Sequence, residues 1–115
     1  MAYQWPFKDP DENLDYSVDW SRFLGDATIS TVVWSVKTPA YSTETVLASG
    51  QDLTTASGGA TTDSIQNISQ TKTNTVATIN IASGVANREY TFYCTITDST
   101  GSTAKRAIKL KVRNR

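Results

Sequence analysis

Three segments near the C-terminal end alternate apolar and polar side chains with a period of two, and this periodicity constrains the fold more than any other feature. Val76–Ala82 puts Ala77, Ile79 and Ile81 on one side. Tyr90–Thr97 does the same with Tyr90, Phe92, Cys94 and Ile96. Ala104–Val112 aligns Ala104, Arg106, Ile108, Leu110 and Val112, and leaves Lys105, Lys109 and Lys111 on the opposite side. A period of two is the geometry of a strand with one buried face. The turn Asp98-Ser99-Thr100-Gly101 between the last two segments has the polar and glycine chemistry of a short hairpin loop. A further strand is expected over Thr28–Val36, rich in β-branched residues, with Val32, Trp34 and Val36 sharing a face and Pro39 ending it. No segment sustains a helical period. Strands of this kind must cover their apolar faces with a second sheet, which predicts an all-β sandwich of about seven antiparallel strands.

One stretch mixes two periods. In Leu14–Gly25 the residues Leu14, Tyr16, Val18 and Trp20 alternate as in a strand, and then Trp20, Phe23 and Leu24 follow helical spacing. The reading is a strand that turns a corner through one short helical turn, with Asp19 placed to accept a backbone N–H two or three residues on and Gly25 ending the turn. Upstream, residues 1–13 carry two prolines, three aromatics and a charge cluster without any period, and are expected to form an extended N-terminal arm. An ordered arm of this kind has to dock, either on its own domain or on a neighbour. The sandwich itself is assigned to residues 14–115. Between Ala40 and Thr75 the signal weakens to loops and edge strands, with a short strand conceivable at Thr45–Ala48 and a turn at Ser57–Ala60.

A chain of 115 residues fits one domain. Its 11 basic and 11 acidic residues cancel, so no global field attracts nucleic acid or an anionic membrane. The distribution is polar all the same: six carboxylates against two cations in residues 1–26, and six cations with no carboxylate in residues 105–115. The basic end alternates with apolar residues and so reads as one solvated strand face rather than a nucleic-acid arm. The single cysteine excludes an intrachain disulfide, and the first residues lack a basic stretch leading into an apolar run, so assembly in a reducing cytoplasm is expected. There is no histidine, which removes the commonest general base, and Cys94 falls mid-strand on an apolar face. Asp9, Asp11, Asn13 and Asp15 alternate like the first half of a calcium loop, but Leu14 and Trp20 stand where such a loop needs glycine and glutamate. Neither catalysis, cofactor nor metal is expected.

The segment Ala86–Cys94 resembles the penultimate strand of immunoglobulin-like domains, in which a tyrosine bonds back to the preceding corner. A wider resemblance lies in Lys8-Asp9-Pro10-Asp11-Glu12, in the L-D-Y-x-V-D-W pattern of Leu14–Trp20, and in F-L-G-D followed by a T-I-S-x-x-x-W strand over Phe23–Trp34. These motifs, with the hairpin of Asp98–Ser102 and the basic last strand, resemble small immunoglobulin-like virion proteins of tailed bacteriophages, of the fibre-tail adaptor kind. The resemblance implies an immunoglobulin-like β-sandwich without catalytic residues, located in the virion. It also implies partners among tail, fibre or head-tail proteins, and several copies in a symmetric ring or shell. It implies no small-molecule substrate. Head decoration of the capsid is the alternative within that class, and a carbohydrate-binding module the alternative from another.

Candidate interface residues follow from the arm and the basic strand. Tyr3, Trp5 and Phe7 alternate as aromatic anchors, flanked by Lys8, Asp9 and Asp11, while Lys105, Lys109, Lys111, Arg113 and Arg115 offer charge to an acidic partner such as the acidic segment of an adjacent copy. Stacked on a sugar, the three aromatics would instead serve carbohydrate binding. The core is assigned to Trp20, Phe23, Leu24, Trp34, Tyr90, Phe92, Ile108 and Leu110.

Overall fold

The computed structural model describes residues 3–5, 8–9, 11–37, 45–46 and 65–113. In chain order its elements are β1 (Tyr3–Gln4), β2 (Asn13–Asp19), α1 (Ser21–Leu24), β3 (Ile29–Lys37), β4 (Thr45–Val46), β5 (Gln66–Lys72), β6 (Val76–Ala82), β7 (Arg88–Asp98) and β8 (Thr103–Val112). The alternating segments are the long strands, and their apolar sides face inward along β6, β7 and the second half of β8. Two sheets result, with strand orders β1-β8-β7-β3-β4 and β2-β6-β5. Strands β2 to β8 pair antiparallel throughout, and β1 alone pairs parallel, against β8. With β3, β7 and β8 in the places of strands C, F and G, and β2, β6 and β5 in those of B, E and D, the arrangement is the immunoglobulin-like sandwich.

The core lies between the sheets. Its largest fully buried apolar side chains are Trp20, Trp34, Tyr90, Phe92, Ile65, Ile79, Ile81, Ile96 and Ile108. Trp34 is opposite Cys94 on the neighbouring strand, and Cys94 is a buried free thiol. Tyr90 sits near the start of β7, and its hydroxyl accepts a hydrogen bond from the Val85 backbone N–H at 2.9 Å, the corner-closing bond that the resemblance implied. The loop leading into β7 also needs Gly84. Its φ is +103°, and a Cβ there would come within 3.0 Å of Ile65 Cδ1 and Val112 Cγ2.

The corner after β2 forms as a single turn. Asp19 Oδ1 accepts the Ser21 N–H at 2.9 Å, and the Ser21 backbone bond holds the Asp19 carboxyl below its ordinary range. Gly25 ends the turn at φ 58° and ψ −117°, a region open only to glycine. Leu24 turns inward, but Phe23, expected in the core, stays 41 % exposed and lies edge-on against Trp20. A helix of four residues presents only one position to the core, and Leu24 occupies it.

The middle of the chain holds a strand that periodicity did not show. β5 is an edge strand whose inward residues include the buried Asn67, whose Nδ2 donates to Gln70 Oε1 at 3.3 Å. Thr45–Val46 pairs with β3, while the turn expected at Ser57–Ala60 lies outside the described residues.

The β7–β8 hairpin carries a pH-dependent element. Asp98 Oδ1 accepts bonds from the Thr100 hydroxyl at 2.7 Å, the Thr100 N–H at 2.9 Å and the Ser102 N–H at 3.0 Å. Led by the Thr100 hydroxyl, these bonds hold the carboxyl below its ordinary range. Because the folded pKa is depressed, this contribution is complete above the unfolded carboxylate value of about 4 and is lost as pH falls through the folded pKa. Asp98→Asn is therefore expected to be less stable than the parent at pH 7 and to lose less stability on acidification below about pH 4, measured by urea unfolding across a pH series. Parallel pH profiles for the two proteins would contradict this.

Candidate functional site

The arm is docked on its own domain. Tyr3 and Gln4 pair parallel with Ile108 and Lys109, the Trp5 N–H donates to the Lys109 carbonyl at 2.9 Å, and the Lys8 N–H donates to the Lys111 carbonyl at 3.1 Å. Parallel pairing carries Trp5 over the rim of the five-stranded sheet into the side opening between β8 and β2. There its ring stacks on Tyr16 at 4.8 Å between centroids, packs near Phe92 and Trp34, and its Nε1 donates to the Ser17 carbonyl at 3.2 Å.

Two interface candidates are thereby corrected. Trp5 belongs to the chain's own core, so it anchors the arm within the domain instead of projecting as a free platform. Lys8 is fully buried, and its Nζ donates to the carbonyls of Asp9 at 2.9 Å and Ser83 at 2.6 Å. Burial lowers the Lys8 pKa, and the carboxylates of Glu12, Asp9 and Asp11 act against that shift. Asp9 and Asp11 are turn formers: Asp9 Oδ1 accepts the Asp11 N–H, and the Glu12 side chain accepts the Asp9 N–H. The calcium-like alternation is split between this turn and strand β2, so its members do not surround one point. Of Tyr3 only the backbone is described, and Phe7 and Arg115 lie outside the described residues.

The basic strand behaves differently. Lys105, Lys109 and Lys111 lie on the outer face of β8, directly opposite Thr95, Thr91 and Glu89 of β7. Arg113 follows β8, exposed, with its N–H donating to the Lys8 carbonyl at 2.8 Å. Arg106 points inward: its guanidinium lies 4.4 Å from the Trp20 ring centroid and donates to the Asp19 carbonyl at 3.1 Å. Together with Trp5 and Arg22 it lines a cleft of ≈ 380 Å³ between β2 and β8.

Sequence reasoning passed over two residues of the basic face. Tyr93 stands between Lys37 and Lys105, whose Nζ atoms lie 5.8 and 4.8 Å from its ring centroid. Tyr93 was findable, because an inward Tyr90, Phe92 and Cys94 require an outward Thr91 and Tyr93. Lys37 was not, since only the pairing of β3 with β7 brings it there.

Nothing in this geometry is a catalytic arrangement of the side chains described. Cys94 is buried, and burial pushes its thiol up to about 11, with the charge of Arg106 acting against that shift. Native protein is therefore expected to resist alkylation by iodoacetamide at pH 8 and to react stoichiometrically once unfolded in urea, as read by mass spectrometry; rapid native labelling would contradict the burial. The placement of Trp5 makes a separate prediction. Trp5→Ala should destabilise the isolated chain by about 3 kcal/mol, the order expected for a large buried aromatic, whereas an arm free of its domain would leave the unfolding midpoint unchanged.

The comparisons with known proteins agree with the geometry. No curated protein matches the chain. The family described as podophage GP4 fiber-tail adaptor protein gp77 matches residues 8–111, which takes in the Lys8 anchor, strands β2 to β7 and nearly all of the basic strand β8. The chain belongs to the podophage GP4 fiber-tail adaptor protein gp77 family.

Proposed function

We propose that this protein joins tail and fibre proteins in a tailed-bacteriophage virion through protein–protein contacts, without catalysing a reaction, and that it is present in several copies set by the symmetry of the tail. The observation that carries the reading is the family match along residues 8–111. The fold suits the role. Its arm is locked down by Trp5 and Lys8, so the domain is a stiff spacer whose partners meet it through its outer faces. The absence of histidine from the sequence and the inert setting of Cys94 fit a structural part. Assembly takes place in the host cytoplasm, where an unpaired buried thiol is stable.

Separation of disrupted particles into head and tail fractions tests this. The chain is expected in the tail fraction, and particles made without it should have complete heads and tails but lack fibres. Recovery of the chain only with capsid shells would replace the adaptor reading by head decoration.

A further inference from the structure

The two outer faces of the sandwich carry opposite charge. On the five-stranded sheet, residues directly opposed across strands share a face, which sets Lys37 beside Thr91 and Lys109, Lys105 beside Thr95, and Lys111 beside Glu89. Among the described strand residues, four lysines thus share that face with one carboxylate, and Glu89 lies 3.8 Å from Lys109. Tyr93 stiffens the centre of the patch as a platform for Lys37 and Lys105. Val33 and Val46, 45 % and 58 % exposed, add apolar area on the same face.

The three-stranded sheet is its counterpart. Asp15, Ser17 and Asp19 of β2 lie opposite Asn80, Thr78 and Val76 of β6, and Asn80 and Thr78 lie opposite Ser69 and Thr71 of β5. Among the described strand residues facing that way there are two carboxylates and no lysine or arginine. Asn80 Nδ2 donates to Asp15 Oδ1 at 2.8 Å and Ser17 bonds Thr78 at 2.9 Å, so the face is a pre-ordered polar surface. Lys72, the cation of β5, points the other way and donates to the Ile29 carbonyl across the sandwich.

We propose that the outer face of the five-stranded sheet, with Lys37, Tyr93, Lys105 and Lys109, docks on the outer face of the three-stranded sheet of a second copy, at Asp15 and Asp19. The contact is head to tail. Pairing either face with itself would set like charges against each other, which disfavours a two-fold dimer and selects the heterologous arrangement. The proposal rests on the multi-copy reading above and names the surfaces that such copies use on each other.

Sedimentation velocity on the full chain, in low salt and at about 0.5 M NaCl, tests it. Concentration-dependent association is expected at low salt and should weaken about tenfold or more at high salt, since exposed charge pairs are screened. Two variants, Lys105→Glu with Lys109→Glu, and Asp15→Lys, should each associate about tenfold more weakly than the parent while keeping its thermal midpoint. Mixed together they should regain association, because their reversed faces complement each other. A parent that stays monomeric in low salt, variants that associate like the parent, or a mixture that does not recover would each overturn the proposal. Such a failure is distinct from failure of the adaptor reading: a chain that does not self-associate yet sits in the tail fraction leaves that reading standing.

Discussion

A three-stranded sheet cannot cover a five-stranded one, and the rest of the structure depends on how this mismatch is resolved. β2 is the last strand on its side of the smaller sheet, while β8 of the larger sheet carries only the short β1 beyond it. The side opening between them would admit water to Tyr16, Trp34 and Phe92. Trp5 closes it, its ring against all three and its N–H spent on the Ser17 carbonyl. Lys8 is drawn to the end of β8, bridging to Val112, and the Arg113 N–H returns to the Lys8 carbonyl. The N-terminal arm and the last strand therefore form one unit, although they lie at opposite ends of the sequence.

The same packing protects the edge of the smaller sheet. An open strand edge is a template for further pairing, and sandwich proteins need some device against it. Along β2 the carbonyls of Ser17 and Asp19 accept side-chain donors from Trp5 and Arg106, so those acceptors are already engaged. Arg106 is the only charged residue on the inward side of β8, and it reaches that edge while its guanidinium covers the Trp20 ring. Those two carbonyls are thereby unavailable for backbone pairing with a further strand.

The sequence disclosed what depends on local period and hid what depends on pairing. β6, β7 and β8 were legible because apolar residues recur at every second position, and Tyr90 was legible because Ala86–Cys94 resembles the penultimate strand of immunoglobulin-like domains. β5 was not, since its buried positions include the polar Asn67, so apolar alternation never appears in its text. β1 has two residues and takes its geometry wholly from β8. Of the arm aromatics read as anchors in need of a pocket, Trp5 has one inside its own domain, and the sequence left open whose pocket it would be. The decision lay with the unequal width of the sheets, a property of the assembled topology. The charged face was half visible: Lys105, Lys109 and Lys111 follow from alternation on one strand, whereas Lys37 joins them only through β3–β7 register.

Placing opposite charges on the two faces of a sandwich has a consequence for any assembly built from it. The outer faces of a two-layer sandwich look in nearly opposite directions, so copies stacked face to face extend along a line. A line closes into a ring only if each copy is tilted relative to the last. The twist of the sheets supplies some tilt, but two flat polar faces joined mainly by screened charge pairs define that angle loosely. A loosely defined angle lets the same contact fit rings of different radius, with closure imposed by whatever symmetric surface the copies are laid upon. On the proposed contact this would suit an adaptor, since the partner would set the symmetry and the adaptor would need only to fill it. The fixed packing of the chain lies inside the domain, at Trp5, Lys8 and Tyr90, and leaves the side chains of the outer faces to make the proposed contact.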